Sequence, residues 1–428
     1  MALALVLASV LGCASSERDR DWVAHALEDR GLPPTSGGDD SLAALADGLD
    51  ERDVVALALS RSPTYRAELA RIDAARADLD EAGRLSNPQI TLAAGIGPIS
   101  TLATLLAPLE SLWQIPLRTE AAARALESIA ESLVQGGLDL ARDARLAHEE
   151  AGLAEDRLRV STTLAQSWQT LAELAAARVR VGEASPTEEA SARALAAVGG
   201  DAVQAATQEV AISRARLSAV VGLPEGHGPY AIRFVGAPRP PPPIAALLEL
   251  ARQSRPDVSA SELALTAAAS RAGWERSRVV ALAAQLEGHW TDPGVLSMRA
   301  GARLELPIFH ANQGGVGRAE AEIMRAQALL EAARLRVARE AIEAHARAER
   351  AHTSLAVYRR EVLPALEEAL RMAAEGFRVG EETYLVALEA SRQLGEAQLR
   401  EAELVAETRR AEAELERAIG ARLPGGPS

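Results

Sequence analysis

Two kinds of hydrophobic pattern alternate along this chain, and each occurs in both halves. Long stretches carry apolar residues every three or four positions, which predicts α-helices with one apolar face. Between them, short runs alternate apolar and polar residues with a period of two, which predicts β-strands. The sequence therefore predicts a mainly α protein with a small β part.

Four strands are predicted, two in each half of the chain. The first pair covers 89–96 and 109–117 and is separated by a loop near 100–108. The second pair covers 282–291 and 296–308. Each run is close to the roughly 9–11 residues that a tilted strand needs to cross a bilayer, and each has one apolar face. We therefore predict four transmembrane β-strands per chain.

Each strand pair leads into a very long helical stretch, predicted at 118–181 and 317–379. The apolar positions of the second stretch advance in steps of three and four, as they do in a coiled coil. Pro364 lies inside this stretch and predicts a kink or break. Gly182 and Gly380 predict tight turns, after which the chain returns as a second helix.

The two halves are an internal duplication of roughly 195 residues, much longer than the period of solenoid repeats. Arg180-Val181-Gly182-Glu183 returns as Arg378-Val379-Gly380-Glu381, and Ser185 and Thr383 are predicted N-caps of the returning helices. We divide the chain into a signal peptide (1–12), a lipidated leader (13–48), a first repeat (49–223), a Pro-rich connector (224–244), a second repeat (245–422) and a tail (423–428).

Composition and charge narrow the functional classes. The net charge of −14 and the lack of a clustered basic face exclude a nucleic-acid partner. The seven histidines include no pair at metal-ligand spacing along a helix, and Gly314-Gly315-Val316-Gly317 lacks the context of a dinucleotide loop. We therefore expect no catalytic residue, no metal, no cofactor and no enzymatic activity.

The amino terminus carries the chain's only cysteine, Cys13, after an apolar run at 2–12. That run is too short to span a bilayer but suits the core of a signal peptide. Val10-Leu11-Gly12-Cys13 resembles a bacterial lipoprotein cleavage box, in which the cysteine becomes the lipidated first residue. Ala14 after such a cysteine favours sorting to the outer membrane. The alternative is that Cys13 is a small buried side chain.

Four amphipathic strands cannot stand alone in lipid, because two open edges leave backbone groups unsatisfied at several kcal/mol each. A closed barrel takes at least about 8 strands, so several copies must contribute to one barrel. Three copies would give twelve strands, enough for a water-filled lumen. The long helices would continue such a barrel as a tube. Barrel and tube together would form a conduit.

The duplicated order of helix, Asn-Pro stop, hairpin, long helix, glycine turn and helix resembles the TolC-like outer-membrane efflux family. The resemblance covers about 50–422. Its pieces are the paired Arg-Val-Gly-Glu turns, Ser86-Asn87-Pro88, Leu306-Pro307-Ile308-Phe309, and Tyr384-Leu385 followed by Glu389. With the lipidated cysteine, the resemblance is to the lipoprotein branch of tripartite efflux channels.

This resemblance implies a homotrimer with an α-barrel tunnel and a twelve-stranded barrel. It also implies a passive conduit that works with a periplasmic adaptor and an inner-membrane pump. We expect the protein at the bacterial outer membrane, anchored by lipid and extending into the periplasm. Two alternatives stay open: the exit duct of a one-step protein secretion system, and a periplasmic coiled-coil adaptor lipoprotein that never spans the membrane.

The resemblance also implies site residues. In family members, acidic residues after the turns form rings that narrow the periplasmic entrance, where repulsion between copies can raise their pKa. Glu188 and Glu389 match these positions, although Val386 replaces the first acid of the second turn. The alternative is that both are solvated glutamates near helix N-termini. The residues that we expect at the adaptor-facing tip are Gly182, Glu183, Gly380 and Glu381.

The period-two alternation of the strands predicts which side chains face the lumen of the barrel. Their mixed charges argue against strong charge selectivity there. The predicted lumen residues are Gln89, Glu287, His289, Arg299, Arg303 and Glu305.

Overall fold

The computed structural model describes residues 17–34, 48–94, 101–223, 230–291 and 294–423. In these ranges the leader contains α1 (Arg20–Glu28). The first repeat contains α2 (Glu51–Arg61), α3 (Pro63–Ala82), β1 (Gln89–Ala93), β2 (Thr101–Pro108), α4 (Ser111–Arg180) and α5 (Pro186–Val221). The second contains α6 (Ile244–Ser254), α7 (Pro256–Ser277), β3 (Ala281–Thr291), β4 (Val295–Glu305), α8 (Gln313–Val357), a π-helical turn (Tyr358–Val362), α9 (Leu363–Val379) and α10 (Tyr384–Ile419). The mainly helical fold with a small β part is confirmed.

The chain folds as two compact units, each assembled from both repeats. The first unit comprises the described residues up to Val23, Ala67–Gln135 and Pro256–Arg336, and it contains the strands. The second comprises the described parts of Ala24–Arg66, Gly136–Arg255 and Val337 onward. Among all these residues, no helix has both the length and the apolarity needed to cross a membrane.

In the first unit, the described strands form one antiparallel sheet in the order β1-β2-β3-β4. Each repeat supplies one hairpin, and the two hairpins meet where β2 pairs with β3. Thr91, Thr104, Glu287 and Arg299 lie opposite one another in a single row across all four strands. Residues opposite each other in a ladder point to the same face, so this row fixes the two faces of the sheet.

The predicted second strand was misplaced. The segment 101–108, predicted as a loop, is β2. The segment 109–117, predicted as a strand, contains a turn at 109–110 and the start of α4 at Ser111. The apolar residues Leu109, Leu112, Trp113 and Pro116 recur with steps of three and four, so they also fit one face of a helix. In β2, apolar side chains occupy both faces, and this hides the period of two that identified the other strands.

Two other strand ends differ from the sequence prediction. β4 stops at Glu305 and not at Ile308, because Pro307 has no N–H to donate to a ladder and interrupts the strand. β1 ends at Ala93. Of the remaining predicted strand residues, Ala94 lies outside the strand, and 95–96 lie outside the described residues.

Helix α1 lies within the leader (13–48), a segment for which no helix was predicted. Asp19 caps the helix, since its Oδ1 accepts the Trp22 N–H at 2.9 Å. Leu27 is fully buried against Gly137 of α4, where an added Cβ would lie only 2.7 Å from a Leu27 methyl carbon. A glycine in the middle of a long helix thus provides the docking site for α1.

The second unit contains two helical hairpins with matching turns. Gly182 ends the α4 region with φ +79°, and Gly380 ends α9 with φ +84°, both in the left-handed conformation that glycine adopts without strain. In each turn, the next residue donates its N–H to a carbonyl five positions earlier, at 2.9 Å from Glu183 to Arg178 and at 2.8 Å from Glu381 to Gly376. The predicted turns are confirmed.

The predicted break at Pro364 takes the form of a π-helical turn just before α9. The Leu363 N–H donates to the Tyr358 carbonyl, five positions back instead of four. Because Pro364 has no N–H and its ring clashes with the carbonyl four positions earlier, it disturbs the regular α-helical hydrogen bonding around it. The extra residue in the turn absorbs this conflict, and the helical path continues into α9.

Both repeats end in the same way, with a glycine that caps the last helix. Gly222 and Gly420 cap α5 and α10 in the left-handed conformation. A Cβ added at Gly222 would lie 2.8 Å from the Arg61 carbonyl oxygen, and one added at Gly420 would lie 2.9 Å from that of Ser254. The equivalent contacts support the predicted duplication and make glycine necessary at both positions.

Beside Gly420, the Arg255 side chain is fully buried and caps the end of α10. Its Nη1 donates to the Ala418 carbonyl at 3.0 Å and to the Arg417 carbonyl at 3.3 Å. The same nitrogen lies 3.0 Å from the Glu340 carboxylate of α8. The burial of a charged side chain is tolerated here because a carboxylate and two carbonyls surround it.

Candidate functional site: the helical turns and the sheet

At the turns, the two helical hairpins pack on each other through small and aromatic side chains. The buried residues of this cluster come from the ends of α4 and α9 and from the beginnings of α5 and α10. They are Ala175, Ala192, Ala373, Phe377, Tyr384 and Ala387. The Phe377 and Tyr384 rings meet edge to face with centroids 6.0 Å apart. This packing holds the turns at Gly182 and Gly380 together, and we call the two turns the helical tip.

The tip glycines themselves are exposed to open space. Among the residues that the structure describes, nothing lies within 4 Å of a Cβ built on Gly182 or Gly380. Val181 and Val379 beside them are 71% and 52% exposed. Glu183 stands 3.9 Å from Arg178. An open apolar and acidic tip is compatible with docking of another protein, so the adaptor-facing role of Gly182, Glu183, Gly380 and Glu381 stays a prediction.

The two predicted gate residues have different surroundings. Glu188 lies in the first turn of α5, and its backbone N–H donates to Oγ of the N-cap Ser185 at 3.2 Å. Glu389 lies in the second turn of α10, where its carboxylate accepts hydrogen bonds from Arg392 at 2.7 and 3.0 Å. These bonds lower the pKa of Glu389. Within one chain, Arg392 thus keeps Glu389 ionised and offsets its charge.

The partner Arg392 was not identified from the sequence. The signal was present, because residues three apart on a helix are neighbours and Arg392 follows Glu389 by three positions. Arg392 also binds Glu396 at 2.5 Å, so it lies between two carboxylates. The role of Glu188 and Glu389 as gate residues stays a prediction, and any account of it has to include Arg392.

Close helix packing continues behind the tip. A Cβ added at Gly199 of α5 would lie 3.0 Å from the Trp168 ring of α4. One added at Gly395 of α10 would lie 2.7 Å from a Leu164 methyl carbon. These glycines let α5 and α10 approach α4 closely. Glycine weakens a helix, and the close approach explains why α5 and α10 contain it.

In the sheet, the register places all six predicted lumen residues on one face. Glu287 lies opposite Arg299, and Gln285 donates to the Glu287 carboxylate at 2.5 Å. His289 Nε2 is 3.7 Å from the same carboxylate. The members of this polar face predicted from the sequence are Gln89, Glu287, His289, Arg299, Arg303 and Glu305. That the face borders a lumen stays a prediction.

The opposite face of the sheet is apolar and exposed. Ile90 is 70% exposed, Leu92 is 73% exposed and Met298 is 63% exposed. Such an extended apolar face is rare on a soluble monomer and marks contact with lipid or another protein. Within the described part of the chain, β1 and β4 each keep one edge without a partner strand. One face and two edges of the sheet thus lack the contacts that would stabilise them.

The connector contributes a charged cluster in the second unit that the sequence did not reveal. The Arg239 N–H donates to the Glu412 carboxylate of α10 at 2.6 Å, beside a cavity of about 140 Å³. The buried Arg145 bridges Glu416 and Glu51. Burial raises the pKa of Glu412 to about 7, and the charges of Glu416 and Glu51 add to the rise.

Comparison with known proteins finds a similar family. A family model described as "Outer membrane efflux protein" matches 247–421, which is the second repeat from α6 to α10. Over this second repeat, the chain is similar to outer membrane efflux proteins. This confirms the resemblance to TolC-like channels drawn from the duplicated motifs.

Individual relatives agree with this similarity, and the solved structures agree with the fold. The chain is 29% identical over 273 residues to the cobalt-zinc-cadmium resistance protein CzcC of Cupriavidus metallidurans. The aligned region covers 63% of this chain and 64% of CzcC. Its fold is similar to that of CusC, with a TM-score of 0.73 at 18% identity, covering 87% of this chain and 93% of CusC. It is also similar to the outer membrane protein VceC of Vibrio cholerae, with a TM-score of 0.74 at 17% identity, covering 91% of this chain and all of VceC.

Proposed function

We propose that this protein is the outer-membrane exit duct of a tripartite efflux system. The observation that carries the proposal is the four-stranded sheet with one polar face, one exposed apolar face and two open edges. In lipid, unpaired edges cost several kcal/mol for each unsatisfied group, so the sheet requires other copies to close it. Three copies would supply twelve strands, within the range of known membrane barrels.

The polar face of the sheet would then line a water-filled lumen. Its Glu287–Arg299 row and the nearby Arg303 and Glu305 place both signs of charge along the wall. Such a lining passes solutes without strong charge selectivity, and it provides no group that could drive transport. The conduit would therefore be passive, and energy would come from an inner-membrane pump through an adaptor that contacts the helical tip.

The non-spanning adaptor is less consistent with the sheet. A protein that stayed in the periplasm would expose Ile90, Leu92 and Met298 to water. The name of CzcC concerns resistance to cobalt, zinc and cadmium. We therefore propose divalent metal ions as the first cargo to test, by comparing the growth of a deletion strain and its complemented strain in each metal.

We also propose that lipid on Cys13 anchors the protein at the outer membrane. Cys13 lies outside the described residues, so the proposal rests on the cleavage-box resemblance. Radiolabelled palmitate should be incorporated into the wild-type protein and not into C13S. Equal labelling of both would remove this part of the proposal.

The test of the duct itself is the state of the protein in outer membranes. Extracted in mild detergent, it should run on SDS gels at three chain masses without heating and at one chain mass after boiling. We expect it in the outer-membrane fraction. A monomer in the soluble periplasmic fraction would contradict the proposal and favour the non-spanning adaptor.

A further inference from the structure

The polar face of the sheet carries a histidine and a carboxylate side by side on β3. We propose that His289 and Glu287 together bind one divalent metal ion of the kind that imidazole prefers, such as zinc or cobalt. We call this pair the His-Glu site. The inference rests on the proposed duct, because it assumes that this face of the sheet borders a water-filled lumen.

The geometry of the pair suits a shared metal ion. Residues two positions apart on a strand point to the same face, so Glu287 and His289 are neighbours. His289 Nε2 and Glu287 Oε2 are 3.7 Å apart, which is too long for a hydrogen bond. Two ligand atoms that each lie about 2.0–2.2 Å from a tetrahedral metal ion are about 3.3–3.6 Å apart. The observed separation is therefore close to the spacing of two metal ligands.

Both ligand atoms are available for a metal ion. Among the described residues, His289 Nε2 has no hydrogen-bond partner, although it is shielded from solvent. Such an orphaned polar atom is uncommon in proteins, and a metal ion would satisfy it. The other carboxylate oxygen of Glu287, Oε1, accepts an N–H of the Gln285 amide. A hydrogen bond of this kind orients a ligating carboxylate and leaves Oε2 for the metal.

The expectation of no metal site was based on spacing along a helix, and ligands two apart on a strand escape it. Imidazole suits zinc and cobalt, whereas magnesium and calcium prefer oxygen ligands alone. Within the described part of the chain, no third His, Cys, Asp or Glu joins the pair. Water from the lumen would fill the other coordination positions, so the His-Glu site would be weak.

The charge opposite the pair weakens metal binding further. Arg299 of β4 lies directly opposite Glu287 in the ladder, and its positive charge repels a cation bound there. Weak binding is what a conduit requires, because an ion that enters the lumen has to leave it again. The His-Glu site would thus hold metal ions briefly during their passage.

The position of the pair along β3 places it away from the long helices. β3 follows α7, and its far end turns back into β4. Glu287 and His289 are the seventh and ninth of its eleven residues, close to that turn. With the helices in the periplasm, this is the outer half of the barrel. In a trimer, three sites at one level would make the wall more positive when they bind metal.

Reversal potentials of single channels in a salt gradient test the His-Glu site. They are measured with and without zinc at slightly alkaline pH, because only neutral imidazole binds a metal. Zinc should shift the wild-type potential towards anion selectivity. H289A should raise the zinc concentration for the half-maximal shift at least about tenfold, and E287Q should also raise it. R299Q should lower this concentration, because it removes the repelling charge.

H310A is the matched control, because it removes a histidine that follows β4 and lies outside the strands. Its response to zinc should equal that of the wild type. Magnesium at the same concentrations should give only the small shift that screening of charges causes. Equal zinc responses of the wild type and H289A, or a wild-type response to zinc no larger than that to magnesium, would overturn the His-Glu site and leave the duct intact. A protein that forms no channels would overturn both.

Discussion

Replacement of Glu412 by glutamine should remove a pH-dependent part of the protein's stability. The carboxyl is half-buried beside the connector, and its pKa is raised from 4.5 to about 7, chiefly by burial and further by Glu416 and Glu51. A raised carboxyl pKa means that the folded protein holds a proton that the unfolded chain releases. This contribution is therefore fully present below pH 4.5 and is lost as the pH rises through 7.

The magnitude follows from the shift of the pKa. A change from 4.5 to about 7 corresponds to at most about 3 kcal/mol between the two protonation states. Because Glu412 is partly exposed to water, which screens its charge, we expect about 1–2 kcal/mol. In E412Q the amide oxygen can still accept the Arg239 N–H, so the connector keeps its contact while the charge is removed.

The assay is thermal unfolding of purified protein in detergent, followed by circular dichroism at 222 nm from pH 5 to pH 8.5. The Tm of the wild type should fall relative to that of E412Q by about 1–2 °C as the pH rises from 5 to 8. E414Q is the matched control, because Glu414 is on the same helix with its carboxylate paired to the exposed Arg347 at 3.1 Å. A difference between wild type and E412Q that does not change with pH would refute the reasoning.

Three further substitutions have expected outcomes. R255M should lower stability by about 1–3 kcal/mol, because the Arg417 and Ala418 carbonyls lose their buried donor while Glu340 keeps Arg417, whereas R252M in the same segment should cost at most about 1 kcal/mol; equal Tm values for the two variants would contradict this. G420A should cost about 1–3 kcal/mol in thermal unfolding because of its positive φ and the close carbonyl, and an unchanged Tm would contradict that contact. R392A should leave the charge of Glu389 without the positive charge beside it and shift the reversal potential of the channel towards cation selectivity. R392K should retain most of the wild-type selectivity, and identical reversal potentials for all three proteins would argue against a gate at this level.

The long helices and their turns could be predicted because their signals are local. Gly182 and Gly380 follow long amphipathic stretches, and a left-handed glycine is the common end of a helix. Pro364 likewise predicts a break from its own covalent structure, although the sequence does not show that a π-helical turn makes it. The three strands with a clear period of two were identified, with errors only at their ends.

Other features depend on contacts that are distant in sequence. Strand β2 has apolar residues on both faces, and only its pairing with β1 and β3 defines it as a strand. The short helix α1 is stabilised by burial of Leu27 against Gly137, over a hundred residues away. The raised pKa of Glu412 depends on burial by the connector. In contrast, the pairing of Glu389 with Arg392 is local and could have been found from their spacing.

The most direct test of the central claim is single-channel conductance of the purified protein in a planar bilayer. If the copies close one barrel around a polar lumen, the current should increase in uniform steps as individual molecules insert. Those steps should disappear when the protein is boiled before it is added. Protein that inserts as a trimer and gives no discrete conductance under any applied voltage would contradict the account.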